Sequence, residues 1–455
     1  MNARDTAAVR LAFERDLAAA LAALITRTGP RTRIRVAFSG GRDSSVLLHA
    51  LTRLDLPDGA SLHAIHLDHG LQHDSAAWAV ACAAVCARLH VPCVVERLTV
   101  RPPPGASLEA WARDARYACF ARVLTADDLI VTAHHEDDQA ETFLLAALRG
   151  AGPAGLRGIA PVRPMGRGWV GRPLLDFTAG RIAAYADAAG ITWHTDPMND
   201  WPTLSRGYLR SRVLPALRAH WPAASRTLAR DAAWQRDVVG VLEELADAWI
   251  TTHAGAPTGR LPVAPLRALT PATRSAVLRR WIAQSGLPLP DATQLERVQA
   301  CVIGARPDRV PECAWKGVRV RRHDGMLHLL RDTTVRGPAF DVEWAPPAAL
   351  RLPGGVLHAT PVTGSGLSAS IPCLRVRPRR GGERCRLPGR THHHRVKDLL
   401  QQARVPAWVR GELPFLYVDD TLAAVAGLCV CADFAAGQGE PGWQLHWTSG
   451  HGETG

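Results

Sequence analysis

The sequence predicts an α/β chain built on a doubly wound parallel sheet, followed by a mainly helical domain and a small basic α+β C-terminal domain. Three observations carry this. Between residues 34 and 149 short apolar runs alternate with helix-period stretches, which is how βα units and a parallel sheet read in sequence. Residues 223 to 304 keep a mostly helical period. From Arg375 to Arg410 the chain holds eleven Lys/Arg against two acidic residues, Glu383 and Asp398.

The elements follow in order. Residues 5 to 26 read as a helix, with Val9, Phe13, Leu17, Leu21 and Leu24 at helical spacing. Ile34 to Phe38 is a short buried strand, and a helix begins by Val46. Strands are expected at 62–67, 93–100 and 129–133, and helices at 76–89, 107–124 (Ser107 as N-cap) and 137–149. Residues 150–164 form a Gly/Pro-rich connection. A helix at 178–189, the stretch Asp196-Pro197-Met198-Asn199-Asp200 and a basic helix at 206–220 complete a first domain over 1–222. A helical domain spans 223–331, ending in a hairpin at 317–330 with Asp324-Gly325 as its turn. Residues 332–371 read as a connector or an irregular β region. The last domain covers 372–447, with a helix at 395–404 and a hairpin across Asp419-Asp420.

Composition bounds the function. The net charge is +12, which points to an acidic partner such as nucleic acid. Only Lys316 and Lys397 are lysines, so Arg abundance reflects a compositional bias, but net charge is indifferent to that exchange. No apolar run has transmembrane length, and no signal peptide is recognisable, so a cytoplasmic protein with no membrane partner is expected. The ten Cys show no CxxC pair, and most read as buried reduced thiols. Neither a zinc site nor an iron–sulfur cluster is expected.

The first strand ends in Ser39-Gly40-Gly41-Arg42-Asp43-Ser44, directly before a helix. Strand, glycine turn and helix start together make a phosphate site: bare amides and the helix dipole favour an anion. A carboxylate among phosphates, Asp43, fits a divalent cation shared with them. The loop matches neither GxxxxGK[ST] nor GxGxxG. His66, at the end of the second strand, borders the same crevice. After the fourth strand comes His134-His135-Glu136-Asp137-Asp138-Gln139-Ala140-Glu141-Thr142. Asp137 and Glu141 lie four residues apart on one helix face. Two carboxylates and a His beside a phosphate loop can bind a cation, orient an amine or remove its proton. Glu109, Arg113, Arg116 and Tyr117 share another helix, where Arg113 is a candidate phosphate or substrate contact. HExxH spacing is absent.

The SGGRDS loop resembles that of the PP-loop ATP pyrophosphatases, whose sheet is Rossmann-like. Taken with DHGL, EAWARDARYACF, TAHHEDDQAETFLL, LRGAGPAGLRG, RPLL, DPMND and RGYLRSRVLPAL, and with RPRRGGERCRLPGR and VKDLLQQARVPAWVRGELP near the end, the chain resembles the tRNA(Ile)-lysidine synthetases. The likeness covers the first 220 residues and the last 75 or so. It implies an ATP-dependent carbon–nitrogen ligase. The wobble cytidine of the CAU anticodon in tRNA(Ile) is adenylated, and the ε-amine of free L-lysine then displaces AMP. ATP would lie on Ser39, Gly40, Gly41, Arg42, Asp43, Ser44 and His66, with Mg2+ on Asp43. Lysine would lie on Asp137 and Glu141, with Asp43, Arg113, His135 and Asp137 as catalytic candidates. tRNA would meet Arg206, Arg210, Arg379, Arg380, Arg384, Lys397 and Arg410. Gly207 stands where the family usually has Asn. The nearest rival, a tRNA 2-thiolase, lacks support because those related to cytidine thiolation need a CxxC pair. A GMP-synthetase-like enzyme or a non-catalytic RNA-binding protein fits less well.

Overall fold

The computed structural model describes residues 3–57, 59–70, 75–98, 103, 108–194, 205–255, 259–306, 311–331 and 340–449. Asp196 to Asp200 and Ser107 lie outside them, as does the side chain of Glu109. The chain divides into two compact units, Met1–Val241 and Leu242–Gly455. Among the described residues no helix is long and apolar enough to cross a membrane.

The first unit is organised by β1 (Arg33–Ala37), whose central Ile34 and Val36 are wholly buried. It is preceded by α1 (Ala3–Thr28). Along the chain follow α2 (Arg42–Leu51), β2 (Ser61–Asp68), α3 (Ser75–Arg88), β3 (Cys93–Arg97), α4 (Leu108–Val123), β4 (Asp128–Val131) and α5 (Glu136–Leu148). The one-turn α6 (Pro153–Leu156), β5 (Val162–Met165), β6 (Gly168–Gly171) and α7 (Ala179–Ala189) come next. The strand order is β3-β2-β1-β4-β6-β5, parallel except for the edge strand β5. Order reverses between β1 and β4, and ligands of such sheets bind beyond the strand ends at that reversal. The helical stripe read in α1 is the buried one: Phe13, Leu17, Leu21 and Leu24 all enter the core. Phe13 meets Phe177 and Tyr185 at ring distances of 4.8 and 4.5 Å. Each such large side chain stabilises the fold by about 1.5–3 kcal/mol through burial.

The β5–β6 hairpin was not expected within the Gly/Pro-rich connection. Its residues, VRPM and GWVG, carry almost no strand pattern. The two glycines of GWVG stand where the backbone is closely approached. A Cβ on Gly168 would stand 2.7 Å from the Asp128 and Thr125 carbonyl oxygens, and one on Gly171 2.9 Å from Leu24. The basic helix is also less regular than its pattern: α8 (Ser205–Tyr208) passes through a π turn at Leu209–Val213 into α9 (Leu214–His220). Then α10 (Ala224–Ala254) begins.

The second unit contains β7 (Arg260–Pro262), α11 (Val263–Ala268), α12 (Pro271–Gln284) and α13 (Ala292–Arg297), which runs on as a π turn to Ile303. These pack on Trp281, Leu278 and Ile282. β8 (Glu312–Trp315), β9 (Val318–His323) and β10 (Met326–Arg331) follow, giving a sheet of order β7-β10-β9-β8. The expected hairpin is β9–β10 with Asp324 and Gly325, both at positive φ, in its turn.

Residues 340–371, read as a connector or an irregular β region, contribute β11 (Val342–Trp344), β12 (Leu350–Leu352), β13 (Gly355–Thr363) and β14 (Leu367–Ser368). β15 (Leu374–Arg377), β16 (Arg384–Arg386), β17 (His393–Arg395) and α14 (Val396–Gln402) succeed them. β18 (Phe415–Val418), β19 (Thr421–Val425), β20 (Cys429–Val430) and β21 (Pro441–Ser449) end the fold. The sheets run β11-β15-β18-β19-β20 and β12-β13-β21-β14, so these early strands are paired with the C-terminal ones. Their partners lie far along the chain, which hides the strands from a local reading. Cys82, Cys86, Cys119 and Cys313 are buried free thiols. Cys301 and Cys373 are exposed, and Cys385 and Cys431 form a disulfide that spacing did not announce.

Candidate active site

The loop after β1 and the head of α5 face one another at the β1–β4 reversal. Gly40 has φ +80°, and a Cβ there would stand 2.5 Å from Trp78 Nε1 and 2.7 Å from Cys82 Sγ, so only glycine fits. Gly41 is different: it is the N-cap of α2 in ordinary extended backbone, and no side chain caps the helix. Ser44 Oγ donates to the Gly41 carbonyl (3.0 Å) and lies 3.0 Å from Ser39 Oγ, tying the turn together. The Gly40 carbonyl accepts from the His194 amide at 3.0 Å. A helix start with no side-chain cap, on a braced loop, is ready for an anion. His66, expected beside a nucleotide, is buried and braces the strand end, with Nδ1 2.9 Å from the Phe38 carbonyl.

His135 caps α5. Its Nδ1 accepts from the Asp137 amide (3.3 Å), and the Asp138 carboxylate accepts from the His135 amide (2.9 Å). That reciprocal box fixes the helix start. The other ring nitrogen, Nε2, reaches Asp43 Oδ2 at 3.5 Å, joining the two loops. Burial pushes the His135 pKa down, but Asp43, Asp138 and Asp137 outweigh it and hold it above the ordinary histidine value. For Asp43 burial pushes up, and His135 and Arg42 hold it below the ordinary value. Arg42 Nε donates to Asp43 at 3.0 Å.

The acidic block is met by arginines from the basic segment. Glu141 is fully buried and takes a two-pronged contact from Arg210, at 2.8 and 3.1 Å. Arg206 Nη1 stands 3.9 Å from the same carboxylate, and its Nη2 donates to Thr142 Oγ1 at 3.1 Å. Arg210 also reaches Asp138 at 3.4 Å, and Arg218 reaches Asp137 at 2.5 Å. Burial holds the Glu141 pKa above its ordinary value against Arg210 and Arg206. Asp43, His135, Asp138, Glu141, Arg206 and Arg210 are thus one connected network. Asp138 is both the capping partner of His135 and an Arg210 partner. Arg218 was missed, although its place on the basic helix was a usable signal. Arg113 is not in this network; it is exposed, over the Tyr117 ring. Gly207 is buried, and its carbonyl accepts from Ser211 Oγ at 2.7 Å. Among the described residues no group of three or more His, Cys, Asp or Glu could by itself hold a metal ion.

Comparison with known proteins finds likeness over most of the chain. Residues 12–217 match the PP-loop domain, 261–328 the TilS substrate binding domain and 374–447 the TilS substrate C-terminal domain. The chain is 41% identical over 431 residues to a tRNA(Ile)-lysidine synthase of Xanthomonas campestris pv. campestris (strain 8004), covering 94% of this chain and 98% of that one. The chain belongs to the tRNA(Ile)-lysidine synthase family. A second family member, from Coxiella burnetii (strain RSA 493 / Nine Mile phase I), is 37% identical over 425 residues, 92% of this chain and 94% of its own. A solved TilS C-terminal domain overlays 25% of this chain and all of itself, at 24% identity and TM-score 0.21. Membership, with the PP-loop match over residues 12–217, makes this an ATP-using enzyme.

Within the region matched to the family's C-terminal domain, the expected tRNA contacts differ in exposure. Arg380, Arg384 and Lys397 are exposed, with Lys397 in the first turn of α14. Arg379 is partly buried, 3.7 Å from Glu383. Arg410 is half-buried and donates to the Val405 carbonyl at 2.9 Å, bracing its own turn.

Proposed function

We propose that this chain makes lysidine at the wobble cytidine of the CAU anticodon of tRNA(Ile). The cytosine O2 attacks the α-phosphorus of ATP, the bond to the β-phosphate oxygen breaks, and pyrophosphate leaves. The ε-amine of free L-lysine then attacks C2 and loses a proton, and AMP leaves with the oxygen. The single observation that carries this reading is an uncapped phosphate loop joined, through Asp43 and His135 at 3.5 Å, to a helix headed by carboxylates.

Lysine brings two cationic amines, so its pocket needs carboxylates. Asp137 and Glu141 are the ones we assign, and Arg218 and Arg210 neutralise them before lysine arrives. His135 Nδ1 already accepts from the Asp137 amide and Nε2 faces Asp43, which leaves the Asp137 carboxylate as the acceptor we assign for the ε-amine proton. Asp43 is one-third exposed at the head of α2, and its carboxylate fits Mg2+ shared with phosphate oxygens. Such an ion would neutralise charge on the leaving pyrophosphate. The exposed Arg380, Arg384 and Lys397 would hold the tRNA by its phosphates. The reactants place the work in the cytoplasm.

The test is purified protein with ATP, labelled lysine and tRNA transcripts differing at the anticodon, followed by nucleoside analysis. Label in a modified cytidine of the CAU transcript alone is the expected result. ATP consumption with no lysine in any nucleoside would overturn the reading.

A further inference from the structure

Tyr117 on α4 is ringed by arginines. The guanidinium carbons of Arg113 and Arg163 lie 5.1 and 4.6 Å from its ring centroid. Arg172, directly after β6, donates from Nη2 to the phenol oxygen (3.3 Å) and from Nη1 to the Ala160 carbonyl (2.8 Å). Arg172 is 3% exposed, and its Nε is buried with no hydrogen-bond acceptor. Among the described residues no carboxylate forms an ion pair with Arg113, Arg163 or Arg172, and Arg163 and Arg113 act on Arg172 as like charges. A buried cation such as Arg172 with no counter-charge is costly unless an anion joins it.

The neighbours have the same bias. Burial pushes the Tyr117 phenol up, yet Arg172, Arg113 and Arg163 together hold it below its ordinary value. His134 is pushed down to about 3, by burial first and then by Arg172, Arg113 and Arg116 against the pull of Asp138. It therefore stays neutral, 2.7 Å from Thr132 Oγ1. The position sets the cluster apart from the loop after β1. Thr132 donates to the Gly171 carbonyl at the carboxyl ends of β4 and β6, so Arg172 follows the strand two places from β1. At about 4.8 Å per strand that is roughly 10 Å from the phosphate loop, with the head of α5 between.

We propose that Arg163, Arg172 and Tyr117, with Arg113, bind a phosphodiester of the RNA substrate beside the reacting nucleotide. Arg172 is the buried floor. Arg113 and Arg163 are arms laid against the Tyr117 ring, which limits their freedom before RNA arrives. The assignment rests on the proposed reaction only in taking RNA as the substrate.

The test compares wild type with Arg163→Gln and Tyr117→Phe in RNA binding without ATP or lysine, across a salt series, and in steady-state kinetics. Arg163 is half-buried on an edge strand, so its removal leaves the core intact, and melting curves check this. Arg163→Gln should weaken RNA binding about tenfold and flatten the salt slope by roughly 0.7 to 0.9. Its KM for ATP should not move. Tyr117→Phe keeps the ring but frees Arg172, and should weaken RNA binding by a smaller factor with the slope unchanged. An unchanged RNA slope in Arg163→Gln overturns the proposal. So does a change confined to ATP or to inhibition by pyrophosphate, which would assign the cluster to the triphosphate. Wild type that binds RNA with this slope but makes no lysidine would instead defeat the proposed reaction and leave this site standing.

Discussion

Arg210→Ala isolates the electrostatics of the buried acidic head. Glu141 is 0% exposed and Arg210 44% exposed, joined at 2.8 and 3.1 Å. Removing one partner of a fully buried pair costs about 3–5 kcal/mol. Here the arginine is half open to water and Arg206 remains at 3.9 Å, which brings the expected loss to about 2 kcal/mol. In a unit of this size that is a fall in Tm of about 4–8 °C. The pH dependence follows from the direction of the Glu141 shift, which is upward because burial outweighs Arg210 and Arg206. A carboxyl with a raised folded pKa contributes stability below its unfolded value, and that contribution fades as pH rises through the folded value. Without Arg210 the folded value climbs further. The deficit should therefore be small near about pH 5 and full near about pH 8. Urea denaturation of wild type, Arg210→Ala and Arg210→Ala/Glu141→Gln at both pH values is the assay. The double variant should recover most of the loss at the higher pH. Equal losses at both values, or a double variant no more stable than the single, would refute the reasoning.

Other outcomes follow from the same geometry. Asp43→Asn should abolish pyrophosphate release while tRNA binding stays within about twofold; lost tRNA binding would remove Asp43 from the phosphate end. In the same variant the His135 ring, followed by NMR, should titrate lower than in wild type, because Asp43 is its first stabilising partner; an unmoved midpoint would contradict the 3.5 Å contact. Gly40→Ala must both hold φ near +80° and displace Trp78 or Cys82, so ATP use should fall at least about tenfold with a lowered Tm. A fully active variant would mean the loop is more yielding than described. Lys397→Ala should reduce the salt slope of tRNA binding by about 0.7–0.9, and identical slopes would leave Lys397 outside the RNA surface.

Much of the first unit was legible because its signals are local. Ile34 to Phe38 is apolar and short, SGGRDS follows it, and the order of the βα units needs no distant information. The acidic head was legible for the same reason. What was not legible depends on partners far along the chain. β5 and β6 look like turn residues until the close approaches at Gly168 and Gly171 are known. β13 pairs with β21 over Gly355↔Ser449 to Thr363↔Pro441, a register no window could reveal. In the site, Asp137 and Glu141 were visible as one helix face. That Arg218 and Arg210 would answer them, 81 and 69 residues downstream, was not. His66 adds a contact that its sequence position did not announce: its Nδ1 lies 2.9 Å from the Phe38 carbonyl.

Gly40 leaves so little room that its neighbours on α3 share its constraint. A bulkier residue at Cys82, or a differently shaped ring at Trp78, would press on the loop as surely as a methyl group on Gly40 itself. In the drift of this sequence over generations those three positions are therefore not free to change one at a time. The nucleotide loop inherits part of its permitted vocabulary from a helix that need never touch the nucleotide.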